Sequence, residues 1–132
     1  MKQTILLLIF PVVAVYCFGQ TKQQGCGNFK SGKFAYRDSA NNLIHVARKA
    51  GKQQEDDKKN GTITKFKIKW NSECEYELTQ IWSNSKAKRK QNRSVTRVVI
   101  VKANGDDSYE YNCGCKDREI KGHSGTMVRL SE

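Results

Sequence analysis

Through most of the chain, apolar and polar residues alternate with a period of two. Thr64, Phe66, Ile68 and Trp70 are separated by Lys65, Lys67 and Lys69, which predicts a strand with one buried and one wet face, as in an antiparallel sheet. Just downstream, Cys74, Tyr76 and Leu78 alternate with Glu75, Glu77 and Thr79. A three-residue loop at 71–73 would pair Lys69 with Glu75, Lys67 with Glu77, Ile68 with Tyr76 and Phe66 with Leu78. Charges of opposite sign then meet outside, and apolar side chains share the core face. Residues 97–102 form a further strand, followed by Asn104-Gly105, the dipeptide of a type I′ turn whose central residues need positive φ. That turn pairs Ile100 with Tyr109 and Val98 with Tyr111. Val99 and Val101 are apolar too, which allows cover on both faces of this strand.

Strands are also predicted at 33–37, 43–48 and 126–130, with 43–52 fitting a helix as the alternative. Residues 56–61 read as a turn, and 86–93 as a charged, apolar-poor loop or a short helix. There is no internal repeat and no interdomain linker. About seven strands with short connections predict an all-β fold, an antiparallel meander that is an open sheet or a small up-and-down barrel.

The first stretch breaks the alternation. Lys2 is followed by an almost unbroken apolar run from Ile5 to Phe18, then Cys17, Phe18 and Gly19 with Gln20 after them. This is the pattern of a secretory signal removed after Gly19, and the run is shorter than the ~20 residues that span a bilayer. Lipid attachment at Cys17 is disfavoured by the bulky Tyr16 before it. Loss of 1–19 takes one lysine and no acid, leaving residues 20–132 as a single β-rich domain of 113 residues with a net charge of +10. The whole chain has 132 residues, 24 Lys plus Arg against 13 Asp plus Glu, and 37% apolar residues. It is too apolar for a disordered tail and too short for a multidomain enzyme.

Four cysteines remain after cleavage: Cys26, Cys74, Cys113 and Cys115. An even number in an exported chain predicts disulfides, with three possible connectivities. A bridge across Cys113-Gly114-Cys115 would be a small, strained, easily reduced ring, which raises a redox role. Together with His123 these two cysteines could also supply two thiolates and an imidazole to a metal ion. Against that stand the one-residue cysteine spacing and the lack of a fourth ligand, His45 being remote in sequence.

The segments Cys26-x-x-Phe29-Lys30-x-Gly32-x-Phe34-x-Tyr36 and Phe66-x-Ile68-x-Trp70-x-x-x-Cys74-Glu75-Tyr76-x-Leu78, with Tyr109-x-Tyr111 and Gly125-Thr126, resemble small exported proteins of Bacteroidetes bacteria. The likeness spans most of the mature chain and implies export and sheet architecture, but no active residue. Some of these proteins bear the name DNA topoisomerase IV. That chemistry needs an ATPase module, a metal-assisted tyrosine and many hundreds of residues, so the name does not transfer. This chain departs from the pattern in its longer 38–60 region and in Cys113-Gly114-Cys115. Since Cys26 and Cys74 belong to the shared pattern and the other two do not, the resemblance implies a Cys26–Cys74 bridge.

No nucleophile elbow, His-Glu-x-x-His or phosphate loop is present, and no cofactor is called for. Glu75 and Glu77 read as halves of a charge ladder rather than an acid/base pair. Lys86, Lys88, Arg89, Lys90 and Arg93 form a basic cluster that could attract an anionic envelope polymer, whereas Phe66 and Trp70 lie opposite the lysine stripe and so read as core. The expectation is an exported, non-catalytic envelope or extracellular binding or structural module. A redox or metal protein using Cys113, Cys115 and His123, and a polyanion-binding basic protein, are the alternatives.

Overall fold

A computed structural model describes residues 25–115 and 123–132. Residues 1–19, where a signal is expected, lie outside the described residues together with Cys17, as does the side chain of Cys115. Eight strands run in chain order around a closed antiparallel barrel: β1 (Gly32–Arg37), β2 (Leu43–Lys49), β3 (Lys52–Asp57), β4 (Thr62–Ser72), β5 (Glu75–Ser83), β6 (Val95–Asn104), β7 (Ser108–Cys115) and β8 (His123–Arg129). The meander closes where Phe34 and Ala35 pair with Arg129 and Val128. Closure gives both end strands of the meander a partner, which limits the free edge they present. Among the described residues two short helices accompany the barrel, a 3-10 turn at Cys26–Phe29 and α1 at Lys86–Arg89. Among the described residues no helix is long and apolar enough to cross a membrane.

Alternation sends Phe34, Val46, Ile68, Tyr76, Leu78, Val98, Ile100, Tyr109 and Met127 into the core. The 3-10 turn adds Phe29 and Cys26 as a floor under the barrel, and the Cys26–Cys74 disulfide, with a Cα separation of 5.2 Å, ties that floor to the β4–β5 turn. Arg129 fastens it from the other side. Its Nη2 donates to the Asn28 carbonyl, its Nε donates to Asp106 O at 2.8 Å, and its guanidinium lies 4.8 Å from the Phe34 ring centre. Gly32 sits beneath it at φ 124°, where a Cβ would come within 2.6 Å of Arg129 Nη1. The positive φ calls for glycine, and the absent Cβ leaves room for the guanidinium.

Several expectations need correction. Lys52–Asp57 is an eighth strand; all its residues are polar, so no apolar period betrays it, and only 58–61 turn. Asp57 accepts from Asn60 across that turn, which holds its carboxyl below the ordinary range. The expected strand at 43–48 is present as 43–49, so only its helical alternative falls; it ends at the Ala50-Gly51 turn, where both residues take positive φ. The β4–β5 register is two residues from the expected one: Ile68 faces Leu78, Lys69 faces Glu77, Lys67 faces Thr79 and Trp70 faces Tyr76. A bulge at Asn71 and a turn at Glu73-Cys74 replace the 71–73 loop, bringing Cys74 to Cys26. A two-residue shift keeps every side chain on its face, so Phe66 and Trp70 still point inward. Glu75 is paired with Arg97 on β6 instead of Lys69.

The β6–β7 hairpin is displaced in the same way. Ile100 faces Tyr111, Val98 faces Cys113, and Tyr109 faces Ala103. A bulge at Val101 lets β6 run on through Asn104, and of Asn104-Gly105 only Gly105 has positive φ, at 58°. Val101 is 52% exposed while Val99 is half-buried, so the second face of β6 is covered only in part.

Candidate functional site

The floor of the barrel is full; its upper half is not. Strands β3 and β4 and the ends of β5 turn polar side chains inward here: Gln53, Glu55, Thr64 and Gln80. With Tyr36, Phe66, Leu78, Val98, Tyr111 and Met127 they line a cavity of about 250 Å³, room for about eight waters at their liquid volume or for one small organic molecule.

Arg48 marks the boundary between floor and cavity. It is 3% exposed. Its Nε donates to Gln53 Oε1 at 2.7 Å, Nη1 to Phe29 O at 3.0 Å, and Nη2 to the hydroxyls of Tyr76 and Tyr109 at 2.7 and 2.8 Å. The guanidinium also lies 4.7–5.8 Å from the ring centres of Phe34, Tyr76 and Tyr109. A permanently charged group taken from water needs such a set of partners. Burial pushes the Tyr76 hydroxyl well above its ordinary range, so it meets Arg48 as a neutral phenol.

Gln53 passes the connection on. Its Nε2 donates to Glu55 Oε1 at 2.9 Å, and Tyr36 donates its hydroxyl to Glu55 Oε2 at 3.0 Å. Glu55 lies deep among protein atoms yet keeps part of its surface open to the cavity. Desolvation raises its pKa, against the lowering effect of the hydrogen bonds from Tyr36 and Gln53. Burial, and then the nearby Glu55 charge, pushes the Tyr36 phenol up. Tyr111 stands edge-on to Tyr36 at 6.5 Å and passes over Gly125, where a Cβ would come within 2.6 Å of its hydroxyl oxygen. Glycine there makes room for the phenol.

The segment holding α1 lies at the cavity mouth. Gln80 anchors it from within: Nε2 donates to Lys88 O at 2.6 Å and to Asn92 Oδ1 at 3.0 Å, and its carbonyl accepts from Arg93 N. Of the predicted basic cluster, Lys88 reaches the cavity lining, while Lys86, Arg89, Lys90 and Arg93 are exposed around it. Cys113 is on the opposite wall, with Sγ–H donating to the carbonyl of His123, its cross-strand partner, at 3.4 Å. The fold therefore brings Cys113 and His123 together; the Cys115 side chain lies outside the described residues. Among the described residues no three His, Cys, Asp or Glu side chains gather as a metal-ligand set. His45 is on the outer face of β2, facing Ala35 and Asp56 across the sheet.

The residues that shape the cavity most, Arg48, Gln53, Glu55, Tyr36 and Gln80, were not among the sequence candidates. The signal for them was faint. Gln53 and Glu55 lie two apart, as inward neighbours on a strand must, but Gln54 between them is polar too. No family model, curated protein or solved structure matches the chain.

Proposed function

We propose that the protein is an exported, non-catalytic binding module of the envelope or extracellular space, and that the barrel mouth holds one small ligand. The observation that carries this reading is the cavity above Arg48. Eight-stranded barrels are either filled by their own side chains or hold one small molecule, and this barrel is filled only in its lower half. The cavity wall mixes apolar surface with a few convergent polar groups, the make-up of a small-molecule site. Both Glu55 oxygens are already held by Gln53 and Tyr36, which suits fixing a ligand rather than transforming it. Export is supported by the signal-like segment, by the likeness to exported Bacteroidetes proteins and by the disulfide, since such bonds persist in oxidising compartments.

The test is a ligand-observed NMR screen of small, neutral, ring-containing compounds against the native chain and Thr96→Phe, which fills the cavity from β6. Binding by the native chain and its loss in a Thr96→Phe protein of unchanged melting temperature is the expected result. Compounds that bind both proteins equally, or neither, overturn the reading.

A further inference from the structure

The outer surface of the barrel carries a second arrangement, independent of the cavity, which the register creates. Lys49, Lys52 and Lys67 stand in one row across β2, β3 and β4, each directly opposite the next, and the row continues through Thr79 on β5 to Val95 on β6. Like charges placed directly opposite destabilise a sheet, and no acid interrupts this row. The neighbouring row reads Ala47, Gln54, Lys65, Trp82.

Trp82 is in that row because of a bulge. Gln80 and Ser83 are both buried inward, so the extra residue in β5 turns two consecutive side chains outward, Ile81 at 40% and Trp82 at 42% exposure. Bulges re-aim side chains in this way and recur at functional positions. Lys65 Nζ lies 5.2 Å from the Trp82 ring centre. A groove of about 480 Å³ runs alongside, with Ala47 and Ile81 as apolar surface, the Gln54 amide, and Lys49, Lys52 and Lys65 as cations.

We infer that this face of β2–β5 binds an acidic polysaccharide, a chain bearing carboxylate or sulfate groups. The three-lysine row supplies the charge such a chain neutralises. Trp82 offers a ring on which the apolar face of a sugar can lie, and Gln54 an amide for its hydroxyls. A single-stranded nucleic acid is served less well, because readers of such strands stack successive bases on several aromatics. A bilayer is served less well too, since only Ile81 and Trp82 would enter it and a groove adds nothing to contact with a plane.

The experiment is titration of the full chain with polygalacturonate at low salt, alongside neutral dextran, a thymidine homopolymer and phosphatidylglycerol vesicles. Polygalacturonate should bind, dextran should not, and affinity should fall steeply as salt rises. Lys52→Glu with Lys67→Glu, and Trp82→Ala separately, should each weaken binding by about tenfold or more, with Trp82→Phe retaining most of it. Neutralising Lys86, Arg89 and Lys90 at the barrel mouth should leave it nearly unchanged. All these side chains are exposed, and unchanged melting temperatures show that the variants fold. Full affinity in the lysine double variant or in Trp82→Ala overturns the assignment. So does loss in the mouth variant alone, or preference for the thymidine polymer or the vesicles.

Discussion

The two ends of this barrel are built from the same eight strands and differ in what their inward positions hold. At the floor, Phe29, Phe34, Tyr76 and Tyr109 pack around Arg48, and the disulfide and Arg129 lock the 3-10 turn in place. At the mouth, Glu55, Gln53, Tyr36 and Gln80 face open space under a helix of one turn. The difference separates the part that holds the fold together from the part where the proposed ligand would enter. Tightly packed, fully hydrogen-bonded ends resist opening, whereas sites that admit ligands come from the less stable part of a structure.

That division has measurable consequences. The largest effect is expected from Arg48→Ala, which removes four hydrogen bonds and strands Gln53 and the Phe29 carbonyl. Loss of about 3–5 kcal/mol in denaturant unfolding is expected, and a loss below about 1 kcal/mol would deny Arg48 its role in the floor. Next comes the disulfide. Cys26 and Cys74 are separated by 48 residues, and the chain-entropy value for a loop of that size is about 4 kcal/mol. Cys26→Ser should therefore lower the melting temperature sharply, and Cys26→Ser with Cys74→Ser should cost little more than either alone.

Effects at the mouth should be smaller and of another kind. The Glu55 pKa is raised in the fold, chiefly by desolvation. The folded state therefore binds its proton more tightly than the unfolded chain, and the stability this gives is complete below the unfolded pKa and lost as pH rises toward the folded one. Glu55→Gln should flatten the decline with rising pH above about 4.3, the ordinary glutamate value. Tyr36 can accept as well as donate, so the variant keeps its hydrogen bonds. A Glu55→Gln profile parallel to that of the native protein would place the titration elsewhere. The smallest effect is expected from replacing Lys86, Arg89, Lys90 and Arg93 by glutamine, which should change unfolding free energy by no more than about 0.5 kcal/mol. A larger change would mean that these exposed cations brace the mouth.

Much of the architecture was open to reading from the chain alone. The alternation of Phe66, Ile68 and Trp70 with lysines is a property of the strand itself, and it assigns inside and outside whatever the strand pairs with. For the same reason both expected hairpins kept their faces when their registers moved by two. The Cys26–Cys74 bridge followed from a resemblance and is present in the fold. The strand Lys52–Asp57 escaped because its inward positions hold Gln53, Glu55 and Asp57, residues tolerable there only because Arg48, Tyr36 and Asn60 meet them.

The sequence by itself determined the period-two strands, their buried faces, the basic surface and the residue types at each turn, because these depend on a residue and its immediate neighbours. Closure of the sheet, the bulges at Asn71, Ile81 and Val101, the cavity over Arg48 and the lysine row from Lys49 to Lys67 were decided only by tertiary structure. Each depends on which strands meet and in what register. A bulge of one residue, which local alternation does not encode, resets the pairing of everything beyond it.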